Sequence, residues 1–274
     1  YLKENYDGIT YTFSAQNIRY APAGALKFDY ERQDGTFIQK EVITTELGAS
    51  FRYAPNEQFY QGATYRTPIL NKYPIFTVDY AAGVGNFLSS QYDYHRVTLK
   101  AEKTFYLSPI GWSIVVMEGG RVFGNVPYPL LIAHRANQTF AYQLESYNLM
   151  NFLEFVSDKY FAISAFHNFG GFFFNRIPLL RRLKWREVIT AKALWGGLDN
   201  SNRPSPENGL LSFPVDDEGN TITYTLEKKP YIEASVGVAN IFKFVRLDLV
   251  RRITYTDHPG ISKLGVWMRF RLEF

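Results

Sequence analysis

The chain has 274 residues, a formal net charge of +4 and no cysteine. Without thiols it can have neither a disulfide framework nor a Cys nucleophile or thiolate metal site. The four histidines, His95, His134, His167 and His258, lie too far apart for a zinc pair, so no metal or other cofactor is expected, and the mild, scattered charge speaks against nucleic acid.

Aromatic residues make up 17% of the chain, with 23 Phe and 20 Tyr, yet the mean hydropathy is −0.21. A soluble domain would bury such residues in a core. A transmembrane barrel places them in interface girdles and on a lipid-facing band, while its polar lumen lowers the average hydropathy. No stretch reaches the roughly 18 uninterrupted apolar residues of a membrane-spanning helix, so any crossing must be made by strands closed into a barrel. Tyr1 stands directly before polar, strand-like sequence, and the chain is expected to be either processed or a piece of a longer one.

Taken in chain order, alternation with a period of two predicts about eleven strands, over residues 8–19, 24–32, 41–54, 74–83, 93–107, 112–124, 154–174, 187–198, 230–239, 243–256 and 263–274. In the second, Leu26, Phe28 and Tyr30 alternate with Lys27, Asp29 and Glu31. In the third, Leu47, Ala49, Phe51 and Tyr53 alternate with Glu46, Gly48, Ser50 and Arg52. Midway, Val97, Leu99 and Ala101 alternate with Arg96, Thr98, Lys100 and Glu102. Near the end, Leu247 and Leu249 alternate with Arg246 and Asp248, and only Arg251 interrupts the apolar face. The last strand places Leu264, Val266, Met268, Phe270, Leu272 and Phe274 on one face, and Lys263, Gly265, Trp267, Arg269, Arg271 and Glu273 on the other.

A soluble β-sandwich or lipocalin-like barrel also alternates, but several strands here exceed its turn spacing, and long insertions fall at every second connection. That is the short-turn, long-loop pattern of an outer-membrane barrel. The predicted fold is therefore an all-β, antiparallel transmembrane barrel forming a single domain over 1–274; its odd strand count means either a strand not recognised in the sequence or upstream strands in another part of the chain. If Phe274 is periplasmic, the connections at 125–151, 199–229 and 257–262 face outside. The turns at 107–111 and 240–243, together with 55–73 and 175–186, then face the periplasm.

Two segments are singled out. Phe270, Leu272 and Phe274 form an alternating, aromatic-ended last strand of the kind handed to the barrel-assembly machinery during biogenesis. Arg176, Arg181, Arg182, Lys184 and Arg186 surround Pro178, which can open a short helix carrying Leu179, Leu180 and Leu183 on one face. This basic segment is read either as an element that binds lumenal carboxylates, a partner or anionic lipid headgroups, or as a solvated interface turn. The glycines of Gly83-Val84-Gly85 and Gly119-Gly120 lack the lysine and helix of a phosphate loop and are read as strand glycines. Inward carboxylates such as Asp79, Glu102 and Glu233 are expected to pair with Arg52, Arg96, Arg246 and Arg269. No Ser, His and Asp combination forms a hydrolase motif.

Three runs, Asn125 to Leu131, Asn151 to Tyr160 and Phe172 to Arg186, resemble a Bacteroidota outer-membrane family of unknown function, often preceded by a carboxypeptidase-regulatory-like domain. Arg52 to Tyr60 and Tyr65 to Pro68 carry the same likeness, which covers roughly residues 40–274. The family is distantly similar to the BamA-like surface-antigen superfamily. This likeness implies an integral outer-membrane location in a Gram-negative bacterium, a role in membrane-protein assembly, export or a related envelope process, and soluble periplasmic domains upstream. The arginine-glycine-phenylalanine loop motif of BamA is missing, which separates the chain from that insertase mechanism. The function expected is therefore a non-enzymatic barrel, in contact with outer-membrane lipid and other envelope proteins, that serves as a subunit or accessory of a larger complex. A pore for small solutes is the alternative, and an outer-membrane lipase or protease is a third.

Overall fold

A single large antiparallel sheet dominates the computed structural model, which describes residues 1–5, 7–24, 26–63, 66–69, 71–226 and 228–270. In chain order the strands are β1 (Leu2–Glu4), β2 (Ile9–Tyr20), β3 (Asp29–Arg32), β4 (Gly35–Ile38), β5 (Val42–Tyr53), β6 (Phe59–Gln61), β7 (Arg66–Pro68) and β8 (Ile75–Gly83). They continue as β9 (Tyr94–Tyr106), β10 (Trp112–Phe123), β11 (Ile132–Ala133), β12 (Val156–Ser157), β13 (Lys159–Asn168), β14 (Arg186–Gly197), β15 (Tyr231–Ile241), β16 (Val245–Arg252) and β17 (Leu264–Phe270). The main sheet runs β1-β2-β5-β8-β9-β10-β13-β14-β15-β16-β17. Each of its strands therefore pairs with its sequence neighbours in the sheet, as hairpin connections dictate.

Two predicted strands need correction. Of the strand predicted over 24–32, β3 does not join the main sheet, because Gln33 and Asp34 make a two-residue turn before Gly35 and β3 pairs with β4 in a separate hairpin; residue 25 lies outside the described residues. The strand predicted over 154–174 is only β13, since Asn151 to Asp158 belongs to a covering loop and Gly170 and Gly171 turn the chain at φ of 65° and 86°. Eleven strands in the sheet agrees with the number read from the sequence, but the eleventh is the short β1.

The all-β antiparallel sheet is present, but it does not close into a ring. The sheet has two free edges, at β1 and β17, with no hydrogen bonds between them among the described residues. The first five residues occupy the edge of β2 from Ile9 to Phe13, with β1 opposite Thr10 to Thr12 and backbone hydrogen bonds joining Tyr1 to Phe13 and Asn5 to Ile9. On the other edge, the Met268 carbonyl accepts a hydrogen bond from the Tyr142 N–H of a loop.

The two faces are the reverse of a soluble sheet. On β16, Arg246, Asp248, Val250 and Arg252 are buried, while Leu247 and Leu249 are 39% and 42% exposed. The register aligns Phe51, Val78, Leu99, Gly119, Phe161 and Trp195 in one outward row across six strands, and every side chain larger than glycine in that row is exposed. A soluble monomer rarely leaves so wide an apolar band in water.

The connections sort by length, and also by charge. One rim carries the long segments 21–41, 84–93, 124–158, 198–230 and 253–263, which contain fifteen Asp and Glu against eight Lys and Arg. The opposite rim carries 5–8, 54–74, 107–111, 169–185 and 242–244, with two carboxylates against seven cations.

Candidate functional site

The inner face holds the densest cluster of buried charge, and the connection between β10 and β13 folds down onto it. That connection, expected to face outside, covers the inward side chains of β14, β15 and β16. Period two on these strands points Lys192, Glu233, Ser235, Arg246, Asp248 and Arg252 to the same side, and all six are buried.

Every charge in the cluster is answered. Glu233 accepts hydrogen bonds from the backbone N–H groups of Asn148 at 3.0 Å and Leu149 at 3.2 Å and from the Tyr231 hydroxyl at 3.1 Å, and it pairs with Lys192 at 3.4 Å. Lys192 also donates to the carbonyls of Gln143, at 3.1 Å, and Ser146. Arg246 grips Asp248 through two hydrogen bonds of 2.6 and 2.7 Å, and its guanidinium lies over the Tyr142 ring at 4.7 Å. The Tyr142 hydroxyl reaches Ser235 at 3.1 Å.

Nearer the long-loop rim, Arg252 donates to Glu154 at 2.9 Å and to the carbonyls of Leu149 and Tyr255 at 3.1 and 2.7 Å. His258 Nδ1 lies 2.8 Å from the same Glu154, with its ring stacked on Tyr224 at 3.9 Å. Burying ions in this way is favourable only when geometry and hydrogen bonds compensate their desolvation, as they do here. The cluster therefore fixes the loop to the sheet.

A cavity of about 230 Å³ remains between the loop and β9, β10, β13 and β14. Ile114, Val116, Ala162 and Phe166 form its apolar wall, and Lys100 and Glu118 are among its charged residues. His134 closes one side: its Nε2 lies 2.9 Å from Ser157 Oγ and its ring stands edge-on to Tyr160. Burial, helped by the Arg135 charge, lowers the His134 pKa to about 3, so the imidazole is neutral.

A second Ser–His contact, Ser113 Oγ to His167 Nδ1 at 2.7 Å, lies on the outward face, and His167 Nε2 is buried without a partner. Neither pair carries the orienting carboxylate of a hydrolase triad. Among the described residues no group of His, Asp and Glu could hold a metal ion.

Several of the inward charges predicted from alternation are paired, but with other partners, and Glu102 lies 3.9 Å from Lys100, whereas Asp79 is exposed and has no ion pair among the described residues. Arg52 binds Glu57, Arg96 binds Glu46, Arg246 binds Asp248 and Glu233 binds Lys192. The basic segment is brought together at the short-turn rim, where Pro178 opens helix α1 (Pro178–Leu183). Arg176 lies over the Phe172 ring at 4.1 Å, and Arg181, Arg182 and Lys184 are exposed while Arg186 is half-buried. Among the described residues none of the five pairs with a carboxylate. Phe270 is outward and 64% exposed, stacked on Phe244, whereas Leu272 and Phe274 lie outside the described residues.

The sequence reading missed Arg252, Glu154, Lys192 and Tyr142. Lys192 and Arg252 carried a usable signal, a cation at an inward position in an alternating strand. Glu154 and Tyr142 lie in irregular sequence and carried none.

No curated protein matches the chain. Over residues 5–201 it matches a family of unknown function, the DUF5686 C-terminal domain, a span that includes both the covering loop and the basic segment. The chain belongs to that family.

Proposed function

We propose that this protein is an integral outer-membrane β-barrel of a Gram-negative bacterium of the Bacteroidota type, acting without catalysis as a subunit or accessory of an envelope complex. The observation that carries the reading is the inverted sheet, with Arg246, Asp248 and Arg252 buried inside and Leu247, Leu249 and Val266 exposed outside. Lipid is the solvent that makes such a surface favourable, and a barrel is the only sheet that leaves no unpaired edge within it. The ten long strands of the sheet alternate in direction, so β2 and β17 run antiparallel and can pair to close the ring.

The covering loop favours a subunit over the alternative of a solute pore. Loop backbone, Tyr142 and Glu154 are tied to four inward charges of β14, β15 and β16, which leaves little lumen for steady flow.

Membrane fractionation and gentle detergent extraction test both halves of the proposal. Recovery in the outer membrane together with a stable protein partner is the expected result. Recovery of the protein alone, with steady conductance in planar bilayers, would favour the pore.

A further inference from the structure

We infer that the short-turn rim is a binding surface for acidic phospholipid headgroups. The inference rests on the membrane-barrel reading and goes beyond it by naming a lipid class and the residues that select it.

Two neighbouring connections build the surface. The first, between β13 and β14, carries Arg176, Arg181, Arg182 and Lys184, followed by Arg186 at the start of β14. The second, between β15 and β16, adds Lys243. Residues 169–186 and 240–245 contain no Asp or Glu, and none of these six cations has a salt bridge among the described residues. The two connections touch: Asn240 Nδ2 donates to the Lys184 carbonyl at 2.7 Å.

Apolar side chains are interleaved with the cations. Leu179 and Phe242 are 73% and 79% exposed, and Phe173, Ile177 and Leu183 are exposed beside them. A solvated turn does not need that composition. Apolar groups that enter the acyl boundary, with cations at headgroup height, are the two halves of an interfacial anchor.

The opposite rim, with fifteen carboxylates against eight cations, would repel the same lipids. Charge complementarity thus selects an acidic headgroup over a zwitterionic one, and the apolar residues select a lipid over a free anion.

The experiment uses the full chain, purified in mild detergent and equilibrated with equal amounts of phosphatidylglycerol and phosphatidylcholine, with retained lipid measured after gel filtration. Phosphatidylglycerol should be enriched. The R176Q/R181Q/R182Q/K184Q variant should retain at least about tenfold less of it. Replacing the same arginines by lysine should preserve retention, as should K228Q/K229Q on the opposite rim.

Equal retention of the two lipids would overturn the inference, and so would enrichment that survives the quadruple variant. Displacement by inorganic phosphate would assign a free-anion site instead. A protein found covering this rim and excluding lipid would overturn it too. Failure of the barrel reading is distinguishable, because the chain would then be recovered in water without detergent.

Discussion

Arg252 of β16 and Glu154 of the covering loop, 98 residues apart in sequence, form an ion pair in which the two side chains are 0% and 2% exposed. Removing one partner leaves the other charge buried away from bulk solvent without its counter-ion. Arg252→Met or Glu154→Gln should each destabilise the loop by about 3–5 kcal/mol, whereas the double variant R252M/E154L should recover most of that loss. Protease cleavage between Gly124 and Asp158, followed over time in detergent, measures both effects. Equal cleavage of the wild type and the single variants would show that the pair does not hold the loop.

Leu99 separates a membrane barrel from a soluble sheet. It is 55% exposed in the middle of the outward row. In water, Leu99→Arg at such a position would change stability by no more than about 0.5 kcal/mol. Facing hydrocarbon near the bilayer centre, the same change should cost about 2–4 kcal/mol. Urea titration of the protein refolded into lipid vesicles, compared with the wild type, reads the difference directly.

The contrast between Leu99 and Glu154 also explains what was legible in the sequence. Alternation is a local property, so Leu247 beside Asp248 was enough to assign the faces of β16, and Pro178 was enough to place a short helix. Pairing between a loop and the sheet is not local: Glu154 sits in irregular sequence, and nothing near it names Arg252. The β3–β4 hairpin was misread because its first arm alternates like a spanning strand, and only the turn before Gly35 shortens it. The open edges at β1 and β17 were illegible for a different reason, since alternation specifies faces and carries no information about which strand pairs with the last one.

Gly83 and Gly119 test the packing on the two sides of the sheet. A Cβ on Gly83 would run into the Tyr94 ring, which is fully packed and whose hydroxyl donates to Glu46 and contacts Thr44 at 3.0 Å. On Gly119 the nearest atoms would be the Tyr160 carbonyl oxygen at 3.4 Å and Phe161 Cδ2 at 3.7 Å, ordinary contact distances. Gly83→Ala should therefore destabilise by about 1–3 kcal/mol through overpacking, and Gly119→Ala by no more than about 0.5 kcal/mol. Parallel denaturation of the two variants checks the ranking, and a reversed order would contradict the packing around Tyr94.

His134 should make the covering loop sensitive to acid. Its pKa is lowered to about 3 in the folded chain by burial and by Arg135, against about 6.5 when the loop is released. The released state therefore binds more protons between these values. The stabilisation is complete above pH ~6.5 and is lost as the pH falls, reaching about 2 kcal/mol of loss at pH ~5 and levelling off only below pH ~3. Hydrogen exchange of residues 132–158 should accelerate from neutral pH to pH ~5 beyond the intrinsic chemistry, while the hydrogen-bonded strands of the main sheet, such as β9, remain protected. His134→Asn removes the titrating group but keeps a polar side chain beside Ser157, so the pH dependence should disappear even if the loop is uniformly weaker. A variant that retained the full acid response would move the sensitivity away from His134 to other groups in the loop.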